Sequence, residues 1–288
     1  MDWLDLRDPD DPRLPELAEK YKLHPLHLED VRNRNQSAKA EPLNEYLFIV
    51  LKPVELRGDR TLSIADLDFF LGPDWLITVQ EESCAAVTFA LDKLEGIRAS
   101  LRPDEVFYRV MDSIVDSYHP IIDNVSDEIN ELEDLALENP TPDVLSAIFD
   151  LKRVLMQLRR ILANTRDVVG QLLRNDAGLI KPDLMPFLRD VYDHLMRNLD
   201  LIEINRDLLN GATELYLSSV ANRTNQVMKG MTILGTIATP ALVITGMYGM
   251  NLKSLPFAEA QHSWSIVLGI IGLASVTMLV ILKRLKML

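Results

Sequence analysis

The most chemically suggestive residues of this 288-residue chain, Tyr248-Gly249-Met250-Asn251, stand at the end of the first of two uncharged runs. Asn251 offers a neutral amide oxygen, and Gly249 lets the backbone turn. Neutral amide and carbonyl oxygens can hydrogen-bond the water shell of a small, strongly hydrated divalent cation without holding it too tightly to leave. The same glycine and asparagine would also make an ordinary helix C-cap, so the surrounding elements decide. Residues 230–250 form a run of 21 without a charge, and residues 264–282 a run of 19. Each matches the roughly 20 residues needed to cross a hydrocarbon core of about 30 Å. One such run alone could be a buried helix of a soluble protein; two in tandem, 13 residues apart, read as membrane spans. Lys283, Arg284 and Lys286 follow the second run, whereas the connecting residues 251–263 hold only Lys253 and Glu259. The positive-inside rule then expects that loop outside, both termini in the cytoplasm and a basic tail at the inner face of the cell membrane. Trp264 stands where an interfacial aromatic anchor is expected.

Charge is divided unevenly along the chain. The formal charge is −13, but residues 225–288 carry five Lys/Arg and one Glu, leaving 25 Lys/Arg against 42 Asp/Glu in residues 1–224. An acidic body argues against nucleic acid as a partner, because phosphate affinity depends on clustered Lys and Arg. Divalent cations are the better match. The single cysteine, Cys84, rules out an internal disulfide and any thiolate metal cluster, and its plain reading is a buried or inert thiol. The start, Met1-Asp2-Trp3-Leu4-Asp5, is acidic and lacks an apolar core, so no signal peptide is expected.

The expected architecture is α+β. Residues 1–103 form a cytoplasmic α/β domain, with strands expected at 46–51, 62–71 and 75–80, a turn at Gly72-Pro73-Asp74, and helices near 15–22 and 24–33. From Asp104 onward, apolar residues recur at helical spacing. Breaks at Asn139-Pro140-Thr141-Pro142 and Lys181-Pro182-Asp183 set off an antiparallel helical hairpin over 104–182, with Thr141 and Pro142 as an N-cap and first helical residue. A long stalk helix over 183–250 runs into the first span at about 230–250; at 1.5 Å per residue it is on the order of 100 Å long. An external loop (251–263), the second span (264–282) and the basic tail (283–288) complete the chain. Leu188, Leu195, Ile202, Leu209 and Tyr216 recur every seven residues, as suits packing among long helices, and Leu201, Leu208 and Leu215 form a second stripe. A single span cannot enclose an aqueous path, so a pore would have to be shared among several copies.

Taken together, the Gly249-Met250-Asn251 tripeptide at the outer end of the first span, the short loop, the second span and the basic end resemble the CorA family of magnesium channels. The likeness extends upstream through Leu188-Arg189-Asp190-Val191-Tyr192-Asp193-His194, Tyr216-Leu217-Ser218-Ser219-Val220, Asn222, Thr224-Asn225 and Val227-Met228-Lys229. It is strong over the C-terminal hundred residues and covers the N-terminal domain by general layout. The resemblance implies a homopentameric funnel in the lipid bilayer that carries Mg2+, with Tyr248, Gly249, Met250 and Asn251 as the selectivity filter. It implies pore-facing positions at Asn225, Met228, Met231, Thr239, Leu242 and Gly246, with Met228 and Met231 as a constriction near the cytoplasmic mouth. Thr239, where many relatives have Met, and Leu242, where some have Thr, depart from the family pattern. The resemblance also implies a regulatory Mg2+ at Asp190, although the partner acid expected shortly after the sheet is missing from Ser83-Cys84-Ala85-Ala86-Val87-Thr88. Met250 favours magnesium over the zinc-transporting branch of the scaffold.

No nucleotide is expected, since no phosphate-binding loop of the form G-x-x-x-x-G-K-[ST] occurs. The membrane potential would suffice: 100 mV supplies about 2.3 kcal/mol per elementary charge and so about 4.6 kcal/mol for a divalent cation. Gly235 and Gly246, with Thr232, Thr236, Thr239 and Thr245, suit either helix contacts or a pore wall. The acidic run Asp127, Glu128, Glu131, Glu133, Asp134 and Glu138 reads equally as a solvated helix end and is given no site. His24 and His27 with Glu29 and Asp30 read as a helix start rather than a zinc site, and no catalytic triad can be assembled, so an enzyme is not expected. The alternatives to a magnesium channel are a zinc, cobalt or nickel transporter on the same scaffold and a membrane-anchored coiled-coil scaffold that transports nothing.

Overall fold

The computed structural model describes residues 2–33, 36–43, 45–58, 60–81, 85–95, 100–174, 176–250, 256 and 262–284. The chain forms two compact units, Met1–Leu215 and Tyr216–Leu288. The first holds strands β1 (Asp2–Leu6), β2 (Lys39–Leu43), β3 (Tyr46–Leu51), β4 (Val54–Leu56), β5 (Leu62–Ile64), β6 (Leu67–Leu71) and β7 (Trp75–Gln80). Its helices are α1 (Leu14–Tyr21), α2 (Pro25–Arg32), α3 (Ala85–Glu95), α4 (Pro103–Glu138) and α5 (Pro142–Arg174). Helix α6 (Met185–Tyr248) contributes to both units, and α7 (Ser263–Arg284) belongs to the second.

Five strands form one sheet in the order β1-β7-β6-β3-β2, parallel between β1 and β7 and antiparallel elsewhere. Side-chain alternation gives the sheet two apolar faces. Phe48, Val50, Phe70, Ile77 and Val79 point to one face and pack with Leu14, Ala18 and Val31 of α1 and α2. On the other face Phe69 meets Phe107 of α4 edge-on, with ring centroids 5.1 Å apart. Every residue of β3 is buried, as expected of a strand covered on both sides. The expected strand over 62–71 is instead two strands in two sheets: β5 pairs with β4 in a separate ribbon, and β6 lies in the main sheet. The break falls where Ala65 N–H turns to Pro53 O (3.1 Å) and Asp66 N–H to the Glu81 carboxylate (3.2 Å).

Strands β1 and β2 and helix α3 were not legible in the hydrophobic pattern. β1 reads Asp-Trp-Leu-Asp-Leu, and its polar residues serve the pairing with β7: Asp5 accepts from Thr78 Oγ1 at 2.7 Å and from Gln80 Nε2 at 2.9 Å. β2 carries Pro42, which an edge strand tolerates. The turn at Gly72 is as expected, and its cause is space: a Cβ there would collide with the Trp75 indole.

Helix α6 lies along α4 through its seven-residue stripe. Leu188, Leu195, Ile202 and Leu209 are buried, and so are Asn198 and Asn205, seven residues apart on a neighbouring row. His119 Nδ1–H donates to Asn198 Oδ1 at 3.2 Å, and Ser126 Oγ donates to Asn205 Oδ1 at 2.9 Å. At the base Arg102, at the N-terminus of α4, reaches both Asp183 carboxylate oxygens at 3.0 Å, while Asp104 accepts the Lys181 N–H at 3.0 Å. Tyr118, fully buried in α4, donates to Lys52 O at 2.8 Å and ties the same helix to the sheet.

One core carboxylate sits against the grain of the sheet. Asp68 is buried between Val50 and Val79 in register; burial, reinforced by Asp66, pushes its carboxyl from 3.8 up to about 8. A raised folded-state pKa stabilises the fold fully below the unfolded value near 4 and loses that contribution as pH rises through about 8. The detergent-solubilised protein is therefore expected to melt at lower temperature at pH 9 than at pH 7, and Asp68→Asn, which cannot ionise, to flatten that decline. An unchanged pH slope in Asp68→Asn would assign the alkaline loss to other groups.

Candidate functional site

Gly249 and Met250 follow directly on the last residue of α6, Tyr248. Gly249 N–H still donates to Thr245 O at 2.9 Å, in the helical pattern, and Met250 N–H then donates to Met247 O at 3.3 Å, so the last turn tightens before the chain leaves the helix. Among the described residues the only glycine with positive φ is Gly178, so Gly249 is not the left-handed cap of the ordinary helix ending. Tyr248 is half-buried, and its hydroxyl donates to Pro256 O at 2.5 Å. Asn251 lies outside the described residues, as does Lys286; Lys283 and Arg284 form the last turn of α7.

The pore-facing positions implied by the resemblance share one property in this chain. Asn225, Met228, Met231, Thr239, Leu242 and Gly246 are all exposed, Met231 and Leu242 at 70% and 71%. The side of α6 that α7 partly covers is the other one: Ser275 of α7 donates to Ile237 O at 3.3 Å, and Ala241, Ile244 and Tyr248 are half-buried. Both helices are long and apolar enough to cross a membrane, and the most apolar window of each is 0% and 6% buried within the chain, unlike a soluble core helix.

Asp190, on the exposed side of α6, sits 3.7 Å from His194 Nε2, and His194 Nδ1 lies 3.5 Å from Asp116 of α4. Asp112, one turn before Asp116, completes a carboxylate group that reading the sequence missed. Burial, followed by the Asp116 charge, raises the Asp112 carboxyl, with Asp190 adding to the rise and His194 opposing it. Burial and the Asp112 carboxylate together push the neighbouring Tyr108 phenol up to about 12. The Asp112/Asp116 pair at i, i+4 was the available signal, but nothing in the linear sequence ties α4 to α6. A cavity of about 550 Å³ opens beside it, lined by Asp116, His119, His194, Arg197 and Asp200 among others. Among the described residues no three His, Cys, Asp or Glu side chains come close enough together to hold a metal ion, so Asp190 makes no complete site within one chain. His24 and His27 do not form one either: His24 caps α2 by accepting from Leu26 N–H, and His27 is buried against Phe48, 4.4 Å between ring centroids.

An α+β body followed by two candidate membrane-spanning helices is the architecture of a membrane protein with a large domain outside the bilayer. The comparisons agree. The family model for CorA-like Mg2+ transporter proteins matches residues 1–284. The cobalt/magnesium transport protein CorA of Thermotoga maritima is 34% identical over 274 residues, 94% of this chain and 78% of that protein. The divalent cation transporter CmaX of Pseudomonas aeruginosa is 26% identical over 231 residues, 79% of this chain and 69% of that protein. The complete structure of the CorA magnesium transporter from Methanocaldococcus jannaschii superposes with a TM-score of 0.81 at 25% identity, covering 98% of this chain and 90% of that one. The chain belongs to the CorA-like Mg2+ transporter family and is a divalent cation transporter, which sets aside the scaffold that transports nothing.

The carboxylates around Asp190 repel one another in the metal-free protein. Asp112→Asn keeps an acceptor for Tyr108 and removes one charge, so the melting midpoint measured in chelator is expected to rise relative to wild type. A midpoint that stays the same or falls would mean that the repulsion is already neutralised.

Proposed function

We propose that this protein is a passive channel that imports hydrated magnesium down the membrane potential, assembled as a homopentamer. The observation that carries this reading is the placement of Gly249 and Met250, which Asn251 follows in sequence, at the end of an α6 face that α7 leaves uncovered. An oligomer is supported by a second uncovered stripe on the same helix, where Ile204 is 56% and Leu208 36% exposed. Apolar surface of that kind is stable in water once a second copy covers it. The orientation taken is cytoplasmic termini with the 251–263 loop outside, supported by Lys283, Arg284 and Lys286 after the second span.

In this reading Asn251 holds the water shell of the ion, and the inward field supplies the driving force. Magnesium at 2.0–2.1 Å from its six waters dehydrates reluctantly, so a filter of neutral oxygens that leaves the shell in place avoids that barrier. The Thermotoga relative is named a cobalt/magnesium transport protein, and one amide ring can bind several hydrated divalent ions. Transport of cobalt, zinc or nickel is therefore the competing assignment.

Purified protein in liposomes, with an inside-negative potential and a magnesium-sensitive dye inside, tests the reading directly. Asn251→Ala is expected to assemble normally and to lose about tenfold to a hundredfold in uptake, the loss of one hydrogen bond to a charged species. Wild-type uptake by intact Asn251→Ala oligomers would reduce Asn251 to a helix cap. Competition with cobalt, zinc and nickel ranks the cargo.

Cytosolic magnesium is proposed to close the channel through Asp190, with the carboxylates of Asp112 and Asp116 nearby. A cation that binds the closed arrangement better shifts the equilibrium toward it by the difference in affinity. Asp190→Ala is expected to move closure to higher internal magnesium, read as uptake or as protease protection across a magnesium titration. An unchanged midpoint would remove Asp190 from the sensor.

A further inference from the structure

We infer that His27 is a proton-operated latch: the neutral imidazole holds helix α2 on the sheet, and its protonation releases the helix. The inference concerns the first compact unit alone and does not depend on the channel reading. The buried residues of α2 are His27 and Val31, so the only polar group this helix sends into the interior is an imidazole. Its surroundings fix how many protons it can carry. A carboxylate can only accept, so the 3.1 Å contact between His27 Nε2 and Glu41 of β2 puts the ring hydrogen on Nε2. Nδ1 of the neutral ring is then an acceptor, and the Tyr46 hydroxyl of β3 donates to it at 2.8 Å. The Tyr46 oxygen in turn accepts the His24 N–H, at the start of α2, at 2.9 Å. One chain of hydrogen bonds thus joins α2 to two strands.

A second ring proton has no place in that chain. It would sit on Nδ1 and point at the Tyr46 oxygen, forcing the hydroxyl to turn its own hydrogen away, and among the described residues no other acceptor meets that hydroxyl. The charges around the ring divide. Burial is the largest influence and holds the imidazole below its usual 6.5; Glu41 opposes it, while Lys39 of β2 and the His24 ring, 5.8 Å away between centroids, add to the lowering. Lys39 also competes for Glu41: its Nζ donates to that carboxylate at 3.0 Å and to Asp30 of α2 at 2.7 Å. Once α2 lifts, the ring reaches water and takes its proton near 6.5. The latch therefore contributes fully above that pH and weakens as pH falls toward the lower value of the docked ring.

Hydrogen exchange on the full chain in detergent, read by mass spectrometry and corrected for the intrinsic pH dependence of exchange, follows residues 24–33 from pH 8 to pH 5. Protection of wild-type α2 is expected to fall about tenfold for each pH unit over which only the lifted state holds the proton, while α5 keeps its protection. His27→Gln, whose amide can bond both neighbours and cannot ionise, should show no such fall. Lys39→Gln keeps the imidazole and removes the competing cation, so its fall should come at higher pH. Flat protection of wild-type α2 overturns the latch. An equal fall in His27→Gln assigns the acid response to other groups, and an equal fall in α5 assigns it to general acid unfolding; either result overturns the inference. Should His27→Gln fail to fold, Lys39→Gln decides, and a fall at the wild-type pH overturns the role of His27.

Discussion

The arrangement of the body depends on how α6 is held in register against α4. An apolar seam alone tolerates slippage, because one leucine fills another's place at modest cost. Asn198 and Asn205 remove that freedom. Each is buried, and each has its amide oxygen engaged by a residue of α4, His119 and Ser126 respectively. Slipping the helix by one turn would leave two buried amide oxygens and their donors unpaired, at about 1–3 kcal/mol per group. The pairing at Arg102, Asp104, Lys181 and Asp183 fixes the same register from the base. Buried polar groups thus trade some packing stability for a single alignment.

That alignment brings the Asp190 group together. Asp112, Asp116 and Asp190 belong to two helices, and each helix step shifts a side chain by 1.5 Å. His194 sits between two of the carboxylates at 3.5 and 3.7 Å, long for a direct hydrogen bond, so it offsets their charge without satisfying them. Such a group is electrostatically unfinished in a single chain. A cation or a neighbouring copy that contributes positive charge lowers the free energy of whichever conformation brings it near, which is the physical basis of the sensor proposed above.

The elements that long periodicity defines were legible in the sequence: the hairpin helices, α6, α7, and the strands at 46–51 and 75–80. The eight-residue helices α1 and α2 also fall where they were expected, but β1, β2 and α3 were not legible. β1 is held by β7, some 70 residues away in sequence, and β2 is a short edge strand interrupted by Pro42, so neither alternates clearly; the break at Ala65-Asp66 is set by hydrogen bonds to Pro53 and Glu81. The seven-residue stripe was visible, but the role of Asn198 and Asn205 was not, because an isolated asparagine on a helix reads as surface. Gly249-Met250-Asn251 was recognisable from its placement between two uncharged runs. Asp112 was not, since its meaning comes from Asp190, 78 residues away.

In the proposed function, one ion handled in two ways accounts for the division of charge along the chain. In the aqueous body, carboxylates can hold a divalent cation for as long as a conformational equilibrium requires, and water moderates their mutual repulsion. Within the hydrocarbon the same carboxylates would bind a divalent ion too tightly to release and would cost several kcal/mol when empty. Residues 230–250 and 264–282 contain none. What remains there to meet a hydrated cation is dipoles: an amide at Asn251, backbone carbonyls at the end of α6, and hydroxyls whose protons are already bonded to the helix. Each is weak enough to let the ion go, and a symmetric assembly multiplies each by the number of subunits. On this reading it is the number of copies, and not the strength of any one group, that sets how firmly the pore holds its ion.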